Sequence, residues 1–147
     1  MHTDFVNLLK NDLDKLDFTQ KVNIEKDNLN KISQIEIQFL DNKNQVKKMN
    51  LYYSRIDSTE LMVDLTPNNL PMVIEILNTI DRVWNTQVLV SKLENIENVS
   101  CSYVNNVITI AIGNRDIINI TDKIEFVREL EIEEFDTLKE ILEVLKG

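Results

Sequence analysis

The sequence predicts an α+β fold in a single domain spanning 1–147, and three observations carry that prediction. Apolar residues recur at helical spacing in three separate stretches, and between those stretches the apolar period switches to two. The 147 residues and 43% hydrophobic content suffice for one folded core without a disulfide or metal support.

The expected order is an N-terminal helix, an antiparallel β-meander, a buried central helix, a β-hairpin plus strand, and an acidic amphipathic C-terminal helix. Thr3 or Asp4 can cap the first helix, which places Phe5, Leu9, Leu13 and Leu16 on one face. Val22 and Ile24 then alternate with polar residues, followed by Ile35, Ile37 and Phe39, by Met49, Leu51 and Tyr53, and by Leu61, Val63 and Leu65. Asp41-Asn42-Lys43-Asn44 and Asp57-Ser58-Thr59 supply turns between these runs.

Pro67 and Pro71 mark the entry to a second helix, where Thr66 or Asn69 can cap and a first-turn proline costs little. Spacing predicts this helix from about Pro71 to Trp84, with Val73, Ile74, Leu77, Ile80 and Trp84 on one face. Met72, Ile76 and Val83 widen the apolar arc, so the helix is expected to be nearly inaccessible. Residues 85–98 fit either a strand at Val88-Leu89-Val90 or more helix running through Leu93 and Ile96. Val99, Cys101 and Tyr103 and then Ile108, Ile110 and Ile112 form a hairpin about Asn105-Asn106. Gly113-Asn114 turns into a strand beginning at Ile118 and Ile120. Phe135, Leu138, Leu142 and Leu145 follow the 3-4-3 spacing of a helix seam, read as core or as a dimer contact. Both halves run strands then helix, but the residues themselves show no convincing repeat.

Eighteen Asn and eighteen Ile stand against one Ala, two Gly and two Pro. This is the bias of an AT-rich genome, such as a low-GC bacterium or its phages and mobile elements. No run of eighteen apolar residues is present, and the N-terminus carries acid where a signal peptide carries base. A cytoplasmic protein without membrane contact is expected. Cys101 is the single cysteine and has no disulfide partner within the chain.

Catalytic groups are scarce. His2 is the one histidine and sits in a terminus, without the partners a general base requires. Cys101 alternates in phase with Val99 and Tyr103 and has no neighbouring base in sequence, so it reads as buried packing. Gly113 and Gly147 are too few for a phosphate-binding loop. Asp12, Asp14 and Asp17 echo a calcium loop but lack its central glycine and closing glutamate. Asp41-Asn42-Lys43 has the spacing of a nuclease D-x-K signature but lies in a turn, and Gln45-Val46-Lys47 is weaker still. No catalytic residue, metal ligand or cofactor is assigned, and enzymatic activity is not expected.

Charge is the feature that points to function. The formal net charge is −9, and residues 122–147 hold nine acids against four bases. Clustered Lys and Arg, which contact nucleic-acid phosphates, are missing, so direct nucleic-acid binding is not expected. Glu129, Glu131, Glu133, Glu134, Asp136, Glu140 and Glu143 form the candidate partner-binding flank, suited to a protein with a basic surface. The expected function is a non-catalytic acidic protein-binding module, inhibitor- or chaperone-like, acting as monomer or homodimer. Its element order resembles that of small acidic secretion chaperones, a likeness without a shared motif. One alternative is an acidic DNA mimic that inhibits a host-defence nuclease, of anti-CRISPR or anti-restriction type. Another is a small carboxylate- or metal-dependent enzyme, or a β-cup for an apolar ligand.

Overall fold

A computed structural model describes residues 5–53 and 59–147. His2, the Thr3 or Asp4 cap and the Asp57-Ser58 turn lie outside the described residues. The chain is α+β, and the described residues form three helices and two four-stranded antiparallel sheets. The elements are α1 (Phe5–Asp14), β1 (Thr19–Lys26), β2 (Ile32–Leu40), β3 (Val46–Tyr53), β4 (Thr59–Met62) and α2 (Leu70–Glu94). They continue as β5 (Val99–Val104), β6 (Val107–Ile112), β7 (Arg115–Ile120), β8 (Ile124–Phe126), a 3₁₀ turn (Ile132–Glu134) and α3 (Phe135–Lys146). The chain divides into two compact units, and the division falls within α2 between Val83 and Trp84.

In the first unit the strands pair in the order β1-β2-β3-β4. The register aligns Val22, Ile37 and Met49 in one row and Ile24, Ile35, Leu51 and Leu61 in another. Period-two alternation sends both rows to one face. There Val22, Ile35, Ile37, Met49 and Leu51 join Leu9 and Leu13 of α1 and Val73, Ile76, Ile80 and Val83 of α2 in a single buried cluster with Phe39; Ile24 packs against it, and Leu61 is exposed. Arg82 Nη2 reaches the buried Asp12 Oδ2 at 3.2 Å, tying α2 to α1 beside this core.

The second unit repeats the meander as β5-β6-β7-β8. Cys101, Ile110, Ile118 and Phe126 form one row, and Tyr103, Ile108, Ile120 and Ile124 another. A bulge between Ile110 and Ala111 inserts an extra residue in β7, so that consecutive Ile117 and Ile118 are both buried. Residues Val90 and Leu93 of α2 and Ile141 of α3 are the fully buried helical positions of this unit. β8 is an element the sequence pattern did not announce, because its three residues are exposed and too few to show alternation.

The stretch 85–98 resolves as helix to Glu94, followed by a turn into β5, so α2 is longer than its spacing indicated. Two expectations for α2 are corrected. It is amphipathic rather than nearly inaccessible, and its buried stripe is Val73, Ile76, Ile80 and Val83, while Ile74 and Trp84 are exposed. Counting from Ile74 and Trp84 turned the expected face away from the buried one by less than one residue's rotation of about 100°, so Val73 and Ile80 lie on both.

A structural repeat, unseen in the residues, emerges from the backbone. At the exit of α1, Leu16 N donates to Leu13 O and Thr19 N to Leu16 O; at the exit of α2, Ile96 N donates to Leu93 O and Val99 N to Ile96 O. At the closing helices, Thr66 N donates to Asn69 Oδ1 at 2.9 Å and Glu131 N to Glu134 Oε1 at 2.8 Å. The apolar positions after these caps match as well: Leu70, Val73, Ile76, Leu77 and Ile80 against Phe135, Leu138, Ile141, Leu142 and Leu145. Each unit is therefore helix, four-stranded meander, helix, with α2 closing the first and opening the second.

The turns explain a compositional oddity in structural terms. All five described non-glycine residues with positive φ are asparagines: Asn30, Asn44, Asn98, Asn105 and Asn106. Asparagine tolerates the left-handed region better than other side chains, and it serves here where glycine is scarce.

Candidate functional site

The acidic flank foreseen in the sequence separates into two groups. Glu129, Glu131 and Glu134 gather around one cation. Arg115 of β7 places Nη1 2.9 Å from Glu134 Oε1 and 3.1 Å from Glu131 Oε1, and its Nη2 donates to Glu129 O at 3.0 Å. Glu134 is buried and also receives the Glu131 N–H, so it fixes the entry to α3. These three residues anchor the segment before α3.

Glu133, Asp136, Glu140 and Glu143 are exposed. Glu140 and Glu143 stand one helical step apart on α3 and border a groove of about 760 Å³. The opposite wall is the turn after α2, which contributes Asn95, Glu97 and Asn98; Ile96 and Val144 add apolar lining. Asn98 takes φ 66° there, and its carbonyl accepts the Gly113 N–H at 2.8 Å, fixing the turn to the β6–β7 hairpin. The groove thus carries three carboxylates, two carboxamides and no base. Glu97 was not singled out from sequence, because only the fold brings the turn after α2 to face α3.

The expected burial of the α3 seam is corrected. Ile141, outside the seam, is fully buried, whereas Phe135 is 47% and Leu142 41% exposed, and Leu138 and Leu145 are half-buried. Ile132, one turn earlier, is 84% exposed. On a helical wheel Ile141 sits about 100° from Leu142, so α3 turns its flank inward and leaves part of the 3-4-3 stripe at the surface. The rows of the second sheet run out onto β8, where Ile124 and Phe126 remain exposed.

The other candidate chemistry resolves into structure. Cys101 is buried, and desolvation, with a smaller contribution from the Glu94 charge, pushes its thiol from 9.0 up to about 12. Asp41 Oδ1 accepts the Lys43 and Gln45 N–H groups and closes the β2–β3 turn. Asp12 is committed to Arg82, with Lys15 at 4.0 Å. Among the described residues no three His, Cys, Asp or Glu converge as metal ligands. No described helix is long and apolar enough to cross a membrane.

Compared with known proteins, the chain matches no family model, no curated protein and no solved structure.

Proposed function

We propose that this chain is a non-catalytic protein-binding module that receives a basic segment of its partner in the groove between α3 and the turn after α2. The observation that carries this reading is the juxtaposition of Glu97 with Glu140 and Glu143 around one concave surface without a base. Carboxylates far apart in sequence are brought to face one space, where their fields add and favour Lys or Arg side chains. Asn95 and Asn98 supply hydrogen-bonding groups of both kinds at the rim. Arg115 contributes by holding the segment that leads into α3, and so fixes where Glu140 and Glu143 stand.

Partner capture tests the proposal. Immobilised wild-type chain and the variant Glu97→Lys/Glu140→Lys/Glu143→Lys are exposed to an extract of cells that naturally produce the protein. A protein retained by the wild type and lost by the variant is the expected result. Retention of the same proteins by both, or of none by either, contradicts it.

A further inference from the structure

Beyond the groove, we infer that the exposed stripe of α3 is the contact between two copies of this chain, paired antiparallel through their α3 helices. Ile132, Phe135, Leu138, Leu142 and Leu145 recur at helical spacing, and three of them are exposed enough to offer an uncovered apolar surface. In the first unit the equivalent closing helix buries Val73, Ile76 and Ile80; in α3 only Ile141 of the three matching positions is buried. The closing helix of the second unit is therefore left short of contacts that its counterpart makes.

The charges beside the stripe identify the occupant. On the exposed side of α3 adjoining Phe135 and Leu142 stand, in order, Asp136, Lys139, Glu143 and Lys146. Signs along this flank alternate: negative, positive, negative, positive. Reversing the order gives the complementary series, so an antiparallel copy sets Lys146 against Asp136 and Glu143 against Lys139 in every pairing. A two-fold interface brings the same patch of both copies together, which is the condition this pattern satisfies. The same register lays Phe135 of one copy near Leu145 of the other. Local balance matters here because the chain as a whole is acidic and two copies otherwise repel.

Sedimentation equilibrium of the full chain decides the matter. At about 100 µM the wild type is expected at twice the 17.2 kDa chain mass. Leu142→Glu, at an exposed position, should give monomer with an unchanged circular-dichroism spectrum. Lys139→Glu alone should weaken association by about tenfold or more, and Lys139→Glu/Glu143→Lys should restore it, because the swap re-creates both cross-copy pairs. A monomeric wild type at that concentration overturns the inference. So does a dimer indifferent to folded Leu142→Glu, or a charge swap that fails to restore association. Glu143 also borders the groove, so partner binding is followed separately in Leu142→Glu, which leaves Glu97, Glu140 and Glu143 in place.

Discussion

Arg115 and Glu134 meet at 2.9 Å, Nη1 to Oε1, across the eleven residues that separate β7 from the 3₁₀ turn. The carboxylate is buried and the guanidinium is one-third exposed, so the pair is partly shielded from water. Because Glu134 also accepts the Glu131 N–H, one side chain joins the sheet to the entry of α3.

Truncating that side chain removes the buried partner of Arg115, which keeps Glu131 and the Glu129 carbonyl, and leaves the Glu131 N–H without its acceptor. Glu134→Ala is expected to lower stability by about 2–3 kcal/mol, below the about 3–5 kcal/mol of a fully buried pair because Arg115 can turn to water. Urea denaturation followed by circular dichroism measures it. The exposed Glu133→Ala serves as the control and should fall within about 0.5 kcal/mol of wild type.

The face of α2 is tested by neighbouring residues. Ile76 is fully buried and Leu77 half-buried. Ile76→Ala should cost about 2–5 kcal/mol, and Leu77→Ala clearly less, since the cavity and transfer losses scale with burial. Equal shifts in denaturation midpoint would place the stripe elsewhere.

The contrast shows what sequence made legible. Strands β1–β3, β5 and β6 could be read because apolar and polar residues alternate along them and their turns carry Asn, Asp or Gly; in β7 the bulge buries consecutive Ile117 and Ile118, and the strand expected to begin at Ile118 instead runs from Arg115 to Ile120. Helix faces were harder: α2 and α3 each hold more apolar residues than one stripe requires, so spacing alone permits two faces. Ile141 rather than Leu142, and Ile76 rather than Ile74, won the interior through tertiary packing. The repeat escaped notice because its signature is backbone hydrogen bonding, and because shorter strands in the second meander change the offset between equivalent residues, from Leu13 and Leu93 to Asn69 and Glu134. Half of the groove was foreseeable in Glu140 and Glu143; Glu97 was not, since no local pattern links a helix exit to a distant helix.

The asparagine turns carry their own prediction. Asn44 has φ 60° in the β2–β3 turn. Asn44→Ala should destabilise by about 1–2 kcal/mol, the cost of placing an ordinary side chain in the left-handed region, while Asn44→Gly should be near neutral or stabilising. Thermal unfolding of the two variants side by side gives the sign.

Cys101 should be inert in the folded protein. Its thiol is buried and pushed up to about 12, so almost no thiolate exists at neutral pH. Reaction with a chromogenic disulfide is expected only after denaturation. Since the folded pKa lies above the ordinary 9.0, the folded state holds the proton more tightly in that interval. Stability from this group is intact below about 9 and declines as pH rises towards 12. A thiol that reacts as fast folded as unfolded would contradict the buried placement.

Groove recognition itself is tested most directly by association kinetics. The partner captured by the wild-type chain is passed over immobilised wild type and over Glu97→Lys/Glu140→Lys/Glu143→Lys, at low and at physiological salt. Exposed carboxylates steer a basic segment through a field screened beyond about 8 Å at physiological ionic strength. The expected result is an association rate that falls with salt for the wild type, and that falls further, by about tenfold or more, in the triple reversal. Equal association rates and equal affinity for the two proteins, at both salt concentrations, would contradict recognition through Glu97, Glu140 and Glu143.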